Sequence, residues 1–233
     1  MAKMIDHSLL NPTLTVVDLE LGLDLALAYD VASVCILPYY LPRCSERLAG
    51  STVQASTTIG FPHGGHTIAI KQAEAERALA DGCQEFDMVV NISKVLSGDW
   101  DYVRRDIQAV IDVAHSGGQK VKVIFENCYL SDDQKIRLCE ICSELNADWV
   151  KTSTGYGTGG ATHDDLKLMR KYSADHVQVK AAGGVRDFDG LLAVRELGVT
   201  RCGASRTADI LGECRRRLGL DPIATNATTP TGY

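Results

Sequence analysis

Eight short runs rich in β-branched and apolar residues recur along the chain, and each ends near a glycine or a polar cluster. They are Lys3–His7, Ala32–Leu37, Val53–Gly60, Glu85–Val90, Val121–Glu126, Asp148–Thr152, Val177–Ala181 and Arg201–Ala204. Each is followed by a helix-like stretch. Val16, Leu19, Leu23, Ala26 and Leu27 mark the first; Val103, Ile107, Val110, Ile111 and Ala114 mark the fourth. Ser131 and Gln134 form a capping-box pattern ahead of the fifth. Helical runs also cover about 67–81, 164–172, 187–197 and 207–218. Strand and helix alternating with no long linker is the pattern of a parallel sheet with crossover helices.

Eight such units predict closure into a single-domain (β/α)8 TIM barrel over residues 1–220, with active-site groups at the C-terminal strand ends. A doubly wound open sheet is the competing architecture. Length is compatible with one barrel, since the chain has 233 residues. Residues 221–233, DPIATNATTPTGY, lack apolar periodicity and are expected to form a flexible C-terminal tail.

Charge narrows the possible partners. Lys and Arg number 24 against 30 Asp and Glu, a net charge of −6, which argues against a nucleic-acid or anionic-membrane surface. No apolar run is long enough to span a bilayer, and MAKMIDHSLL has no secretory h-region. A cytoplasmic location is expected. Eight cysteines in such a chain are expected to be reduced thiols. The C-x-x-C of Cys139 and Cys142 shares helical spacing with Leu138, Ile141 and Leu145, so it reads as core packing.

The strands carry charges that buried strands should avoid. Alternation opposes Val150 to Lys151, and Val179 to Lys180. Phe86 and Met88 share one face, and Asp87 takes the other. Val121, Val123 and Phe125 leave Lys122 and Glu126 inside. The barrel mouth is therefore expected to hold Lys122, Lys151 and Lys180 with Asp87 and Glu126. One reading is a structural ion-pair network. The other is chemical: two close ammonium groups depress one pKa, and the neutral amine attacks carbonyls.

Glycine clusters follow the last three strands: GYGTGG at Gly155–Gly160, Gly183–Gly184, and Gly203-Ala204-Ser205. Backbone N–H groups at such turns can cradle an anion, and the last two loops of a barrel are the usual phosphate seat. GYGTGG also satisfies G-x-G-x-x-G. The next strand, however, ends in Lys180-Ala-Ala-Gly-Gly rather than an acidic residue, which argues against a dinucleotide. His63 and His66 lie in a Gly- and Pro-containing turn with no third ligand in view, so no metal site is expected.

With these motifs in order, the chain resembles the deoxyribose-phosphate aldolase family. The resemblance runs from Ile5 to about Leu218 through IDHSLL, VCILP, GFPHG, EFDMVVNIS, KVIFE, VKTSTG, VKAAGGVR and GAS. It implies a class I, Schiff-base aldolase on a (β/α)8 barrel. By resemblance, Lys151 of VKTSTG is the imine-forming lysine and Lys180 of VKAAGG its partner. Asp87 is the proton-relay aspartate. Asp6 and Cys35 are pocket residues, and Gly155, Gly183, Gly184, Gly203 and Ser205 cradle phosphate; Lys122, placed inside by alternation, is expected to contact substrate with them. The implied reaction is the reversible cleavage of 2-deoxyribose 5-phosphate to glyceraldehyde 3-phosphate and acetaldehyde, with no cofactor and no metal. The implied partners are a phosphosugar and an aldehyde; homo-oligomer formation stays open.

The chain departs from the family at Leu37, Tyr156, Arg206 and the ENCYL segment, 126–130, all expected at the pocket rim. A Schiff-base lyase for another phosphosugar is the rival enzyme reading, and a phosphosugar-binding regulator the rival from another class. The tail adds one expectation: Tyr233 could close over the sugar and assist proton transfer.

Overall fold

The computed structural model describes residues 1–224. Eight parallel strands close into a barrel in chain order. They are β1 (Ile5–Leu9), β2 (Ser33–Ile36), β3 (Gln54–Ile59), β4 (Glu85–Val89), β5 (Lys120–Ile124), β6 (Trp149–Lys151), β7 (Gln178–Ala182) and β8 (Arg201–Ala204). Around them run α1 (Val16–Tyr29), α2 (Leu41–Leu48), α3 (Ile68–Ala80), α4 (Ile92–Leu96), α5 (Trp100–Ser116), α6 (Asp132–Glu144), α7 (His163–Tyr172), α8 (Phe188–Glu196) and α9 (Thr207–Arg217). The expected TIM barrel is present. Tyr233 and most of the expected tail lie outside the described residues.

Differences from the sequence reading are local. β1 starts at Ile5 rather than Lys3, because a 3-10 turn takes Ala2–Met4 and ladder pairing begins only at Ile5 and Asp6. Two helices had no predicted range. α2 begins on Leu41 with Pro42 in its first turn, a position where the missing N–H costs nothing. The short α4 starts from Asn91, whose side chain accepts from the Lys94 N–H. The predicted capping box is formed: Ser131 Oγ accepts from Gln134 N–H, and the Gln134 side chain accepts from Ser131 N–H. A second box links Thr15 and Asp18 at the start of α1.

Alternation along the strands divides the molecule into two interiors. One face of the strands meets the helices with Val34, Ile36, Phe86, Met88, Val121, Val123, Val150 and Val179, all buried. The helices answer with Leu19, Leu23 and Ala26 of α1, or Val103, Ile107 and Val110 of α5. Each such side chain contributes about 1.5–3 kcal/mol on burial, so this apolar shell is the folding core. Cys139 and Cys142 belong to it, on the buried face of α6. Burial pushes the Cys139 thiol up to about 12 and raises Cys142 well above the usual thiol value. The other strand face points into the barrel and carries charge.

Among the described residues, no helix is long and apolar enough to cross a membrane. No cluster of three or more His, Cys, Asp or Glu that could hold a metal occurs among them either.

Candidate active site

Register brings the interior charges together. Asp87 lies beside Lys122 across β4 and β5, and Lys151 lies beside Lys180 across β6 and β7. Asp87 Oδ2 accepts from Lys151 Nζ at 2.6 Å and from Lys180 Nζ at 2.7 Å; Oδ1 accepts from Lys122 Nζ at 3.0 Å. Asp6 faces Lys180 at 2.7 Å and Lys122 at 3.4 Å. Below them lie Arg201 and Glu85, which the sequence reading did not single out. Arg201 holds Glu85 through both terminal nitrogens, at 3.0 and 2.8 Å, and Asp6 at 2.6 Å. Lys122 reaches Glu85 at 2.5 Å. The Trp149 ring fills the same level, with the Arg201 guanidinium 5.0 Å from its centroid. Alternation was the available signal, since Glu85 and Arg201 precede Asp87 and Gly203 by two residues.

The charges do not balance. Four cations (Lys122, Lys151, Lys180, Arg201) meet three carboxylates (Asp6, Glu85, Asp87). Lys122 touches three of the carboxylates and Lys180 two, whereas Lys151 has Asp87 alone. Burial opposes charge at Asp6, Asp87, Lys151 and Lys180, and the neighbours outweigh it at all of these except Lys151. For Asp6, Lys122, Lys180 and Arg201 outweigh burial and hold it well below the carboxylate range. Asp87 is held low by Lys122, Lys151 and Lys180. Lys180 is raised against burial by Asp6 and Asp87. At Lys151 burial dominates, Lys180 adds repulsion, and Asp87 does not compensate, so its pKa falls. The pKa values of the two lysines therefore move in opposite directions, through unequal carboxylate contact.

Above this floor opens a cleft of about 680 Å³. Asp6, Cys35, Lys151 and Lys180 line its base, and Gly155, Gly183, Gly184, Gly203 and Ser205 line its wall. Lys122 is not among the lining residues. It was expected to contact substrate, but it is fully buried one layer lower, where Asp6, Glu85 and Asp87 consume its charge. Glu126 was expected among the mouth lysines and is not there either. Its backbone leaves the strand in a left-handed conformation, and its carboxylate turns to Thr154. The Cys35 thiol is pushed up to about 11, by burial first and then by Asp87, and so is held as a neutral thiol.

Gly183 and Gly184 both have positive φ, 72° and 98°, in the turn between β7 and α8, the kind of turn whose backbone N–H groups can hold an anion. The β6 loop presses against them: Ala161 N–H donates to Ala182 O and Gly183 O, and a Cβ on Gly160 would lie 2.6 Å from the Gly183 carbonyl. Arg186 and Arg206, exposed at the same end, also line the cleft. Arg186 was not singled out from the sequence, whereas Arg206 was expected at the rim only as a departure from the family pattern. Arg206 Nε donates to Asp209 at 2.8 Å. At another rim departure, the Tyr156 hydroxyl donates to Leu10 O at 2.6 Å and joins the β6 loop to the β1 exit.

A barrel with a lysine pair beneath a glycine-lined cleft defines an aldolase-type site. The chain belongs to the DeoC/LacD family of aldolases, whose family model matches residues 1–203. It is an aldolase, a carbon–carbon lyase of class I. It is 69% identical over 232 residues to the deoxyribose-phosphate aldolase of Rhodopirellula baltica, covering 100% of this chain and 96% of that one. Identity to the Thermococcus gammatolerans deoxyribose-phosphate aldolase is 46% over 216 residues, covering 92% and 96%. Among solved structures, the tetrameric deoxyribose phosphate aldolase of Aeropyrum pernix superposes with a TM-score of 0.85 at 29% identity, covering 93% of this chain and 91% of that one.

Proposed function

We propose that this chain cleaves 2-deoxyribose 5-phosphate reversibly to glyceraldehyde 3-phosphate and acetaldehyde through an imine on Lys151. The observation that carries the reading is the asymmetry of the lysine pair: Lys180 is raised by two carboxylates, and Lys151 is lowered beside it. A phosphosugar binder needs cations, whereas an imine needs one neutral amine.

Neutral Lys151 adds to C1 of the open-chain sugar, and loss of water gives a protonated imine. The C3 hydroxyl gives up its proton to Asp87, acting with Lys180 and an intervening water. Electrons of the C2–C3 bond move into the imine and leave an enamine, and glyceraldehyde 3-phosphate departs. Protonation at C2 and addition of water release acetaldehyde and restore Lys151. Asp87 is held low as a carboxylate, so it suits a relay that passes the proton on rather than a store that keeps it. The 5-phosphate would sit on the N–H groups at Gly183–Gly184 and Gly203–Ser205, with Arg186 and Arg206 adding charge at the rim.

Borohydride reduction in the presence of 2-deoxyribose 5-phosphate tests the reading. The expected result is a mass increase on the Lys151 peptide, absent from Lys151→Ala. Label on Lys180 would exchange the two roles. Trapping only with a different phosphosugar in a substrate panel would select the rival lyase.

A further inference from the structure

Glu126 stands apart from the lysine network although it is only 2% exposed. It occupies a left-handed position (φ 58°, ψ 62°) at the exit of β5, a costly conformation for a side chain of this kind. From there its carboxylate reaches under the β6 loop. One oxygen accepts from Thr154 N–H at 3.2 Å, and the other accepts from the Thr154 hydroxyl. The fit is close: a Cβ on Gly157 would lie 2.9 Å from the Glu126 carboxyl carbon.

Thr154 lines the cleft three residues beyond Lys151. A hydroxyl has one proton and two lone pairs. The Thr154 proton goes to Glu126, and one lone pair accepts from Tyr156 N–H at 2.9 Å. What remains is one lone pair, so the group can meet a ligand only as an acceptor. A carbonyl or phosphate oxygen would find no donor there, whereas a sugar hydroxyl, which can donate, would find an acceptor.

We propose that Glu126 is a positioning residue that fixes the Thr154 hydroxyl as an acceptor, through which the cleft recognises the C4 hydroxyl of its phosphosugar. The proposal rests on the aldolase reading above. With C1 on Lys151 and the phosphate on the glycine turns, the middle carbons pass the β6 exit. The C3 hydroxyl is committed to Asp87, which leaves the C4 hydroxyl for Thr154.

In the synthetic direction the C4 hydroxyl is the acceptor aldehyde's own. The experiment compares kcat/KM for glyceraldehyde 3-phosphate with that for 3-oxopropyl phosphate, the same aldehyde without this hydroxyl, acetaldehyde being the donor. One neutral hydrogen bond is worth about five- to tenfold in that ratio. Thr154→Val should lose the preference and Thr154→Ser should keep it. Glu126→Gln should also reduce it, because an amide that still accepts from Thr154 N–H turns its NH2 to the hydroxyl and reverses that group's direction. Thermal melts identify variants that fail to fold, and Thr154→Val carries the test if Glu126→Gln is one. An unchanged ratio in Thr154→Val, with borohydride trapping on Lys151 intact, overturns this proposal alone. A wild type not trapped on Lys151 overturns the imine reading and this proposal with it.

Discussion

Among the described residues, lysine and aspartate side chains that are both almost fully buried meet at two places, and the charges close differently in each. Between α3 and α5, Lys71 and Asp106 form a one-to-one pair at 2.6 Å, both fully buried. Lys71 also donates to Val89 O at 2.8 Å, and Asp106 accepts from Asn91 N–H at 3.1 Å. Burial is the largest influence on each, lowering Lys71 and raising Asp106, so both move toward neutrality. Inside the barrel, Asp6 and Asp87 are driven down and Lys122 and Lys180 up, against burial. Lys151 alone moves the other way. A buried lysine with a lowered pKa is thus no signature of chemistry by itself. What separates the two places is surplus: the pair is one-to-one and fully buried, whereas the network has one cation more than it has carboxylates, and Lys151 and Lys180 line the cleft above it.

The comparison can be broken most severely at Lys151. Lys151→Ala should reduce cleavage by at least about a thousandfold, the order expected when a covalent nucleophile is removed. It should leave thermal stability equal or higher, because the lost group is the unmatched cation. A variant that unfolds instead would mean that Lys151 is structural, like Lys71.

The closed pair should give the reverse pattern. Lys71→Met or Asp106→Leu alone strands a buried charge and should cost about 3–5 kcal/mol in urea denaturation. The double variant should recover most of that loss. At a temperature where each variant is folded, the acid limb of kcat/KM should stay at the wild-type pH. A limb that moves would show that the α3–α5 pair is coupled to the barrel network and that the two regions are not separate.

Part of this contrast was readable from residue order. Alternation alone put Asp87, Lys122, Lys151 and Lys180 in the barrel, because period-two patterning leaves a strand residue only two directions. The same argument, carried to the strand starts, reaches Glu85 and Arg201. Lys71 had a signal too: with Ala75 and Ala78 it falls at i, i+4 and i+7, on the buried stripe of α3. Asp106 falls between Val103 and Ile107 on the stripe of α5. Periodicity could not give depth along the barrel axis. Lys122 and Lys180 look alike in sequence, yet only Lys180 lines the cleft. Nor could it foresee Glu126, where a left-handed residue ends the alternation and sends the carboxylate sideways.

The smallest effect, and the finest test of surplus, concerns Lys180. In the wild type it repels Lys151 and shares Asp87 Oδ2 with it, at 2.7 and 2.6 Å. Lys180→Leu removes the repulsion and leaves that oxygen to Lys151. Both changes favour the ammonium form, so the Lys151 pKa should rise. The protonated amine is not a nucleophile, so kcat/KM falls on the acid side of this pKa, and a higher pKa moves the acid limb to higher pH. Cleavage should also slow, since the relay loses a member, but the position of the limb carries the information and its height does not. Lys180→Arg keeps the charge and should keep the limb. If Lys180→Leu leaves the limb in place while borohydride still traps Lys151, burial alone lowers this amine. The second lysine would then serve the proton relay only, and the four-to-three imbalance of charge would not be what selects the nucleophile.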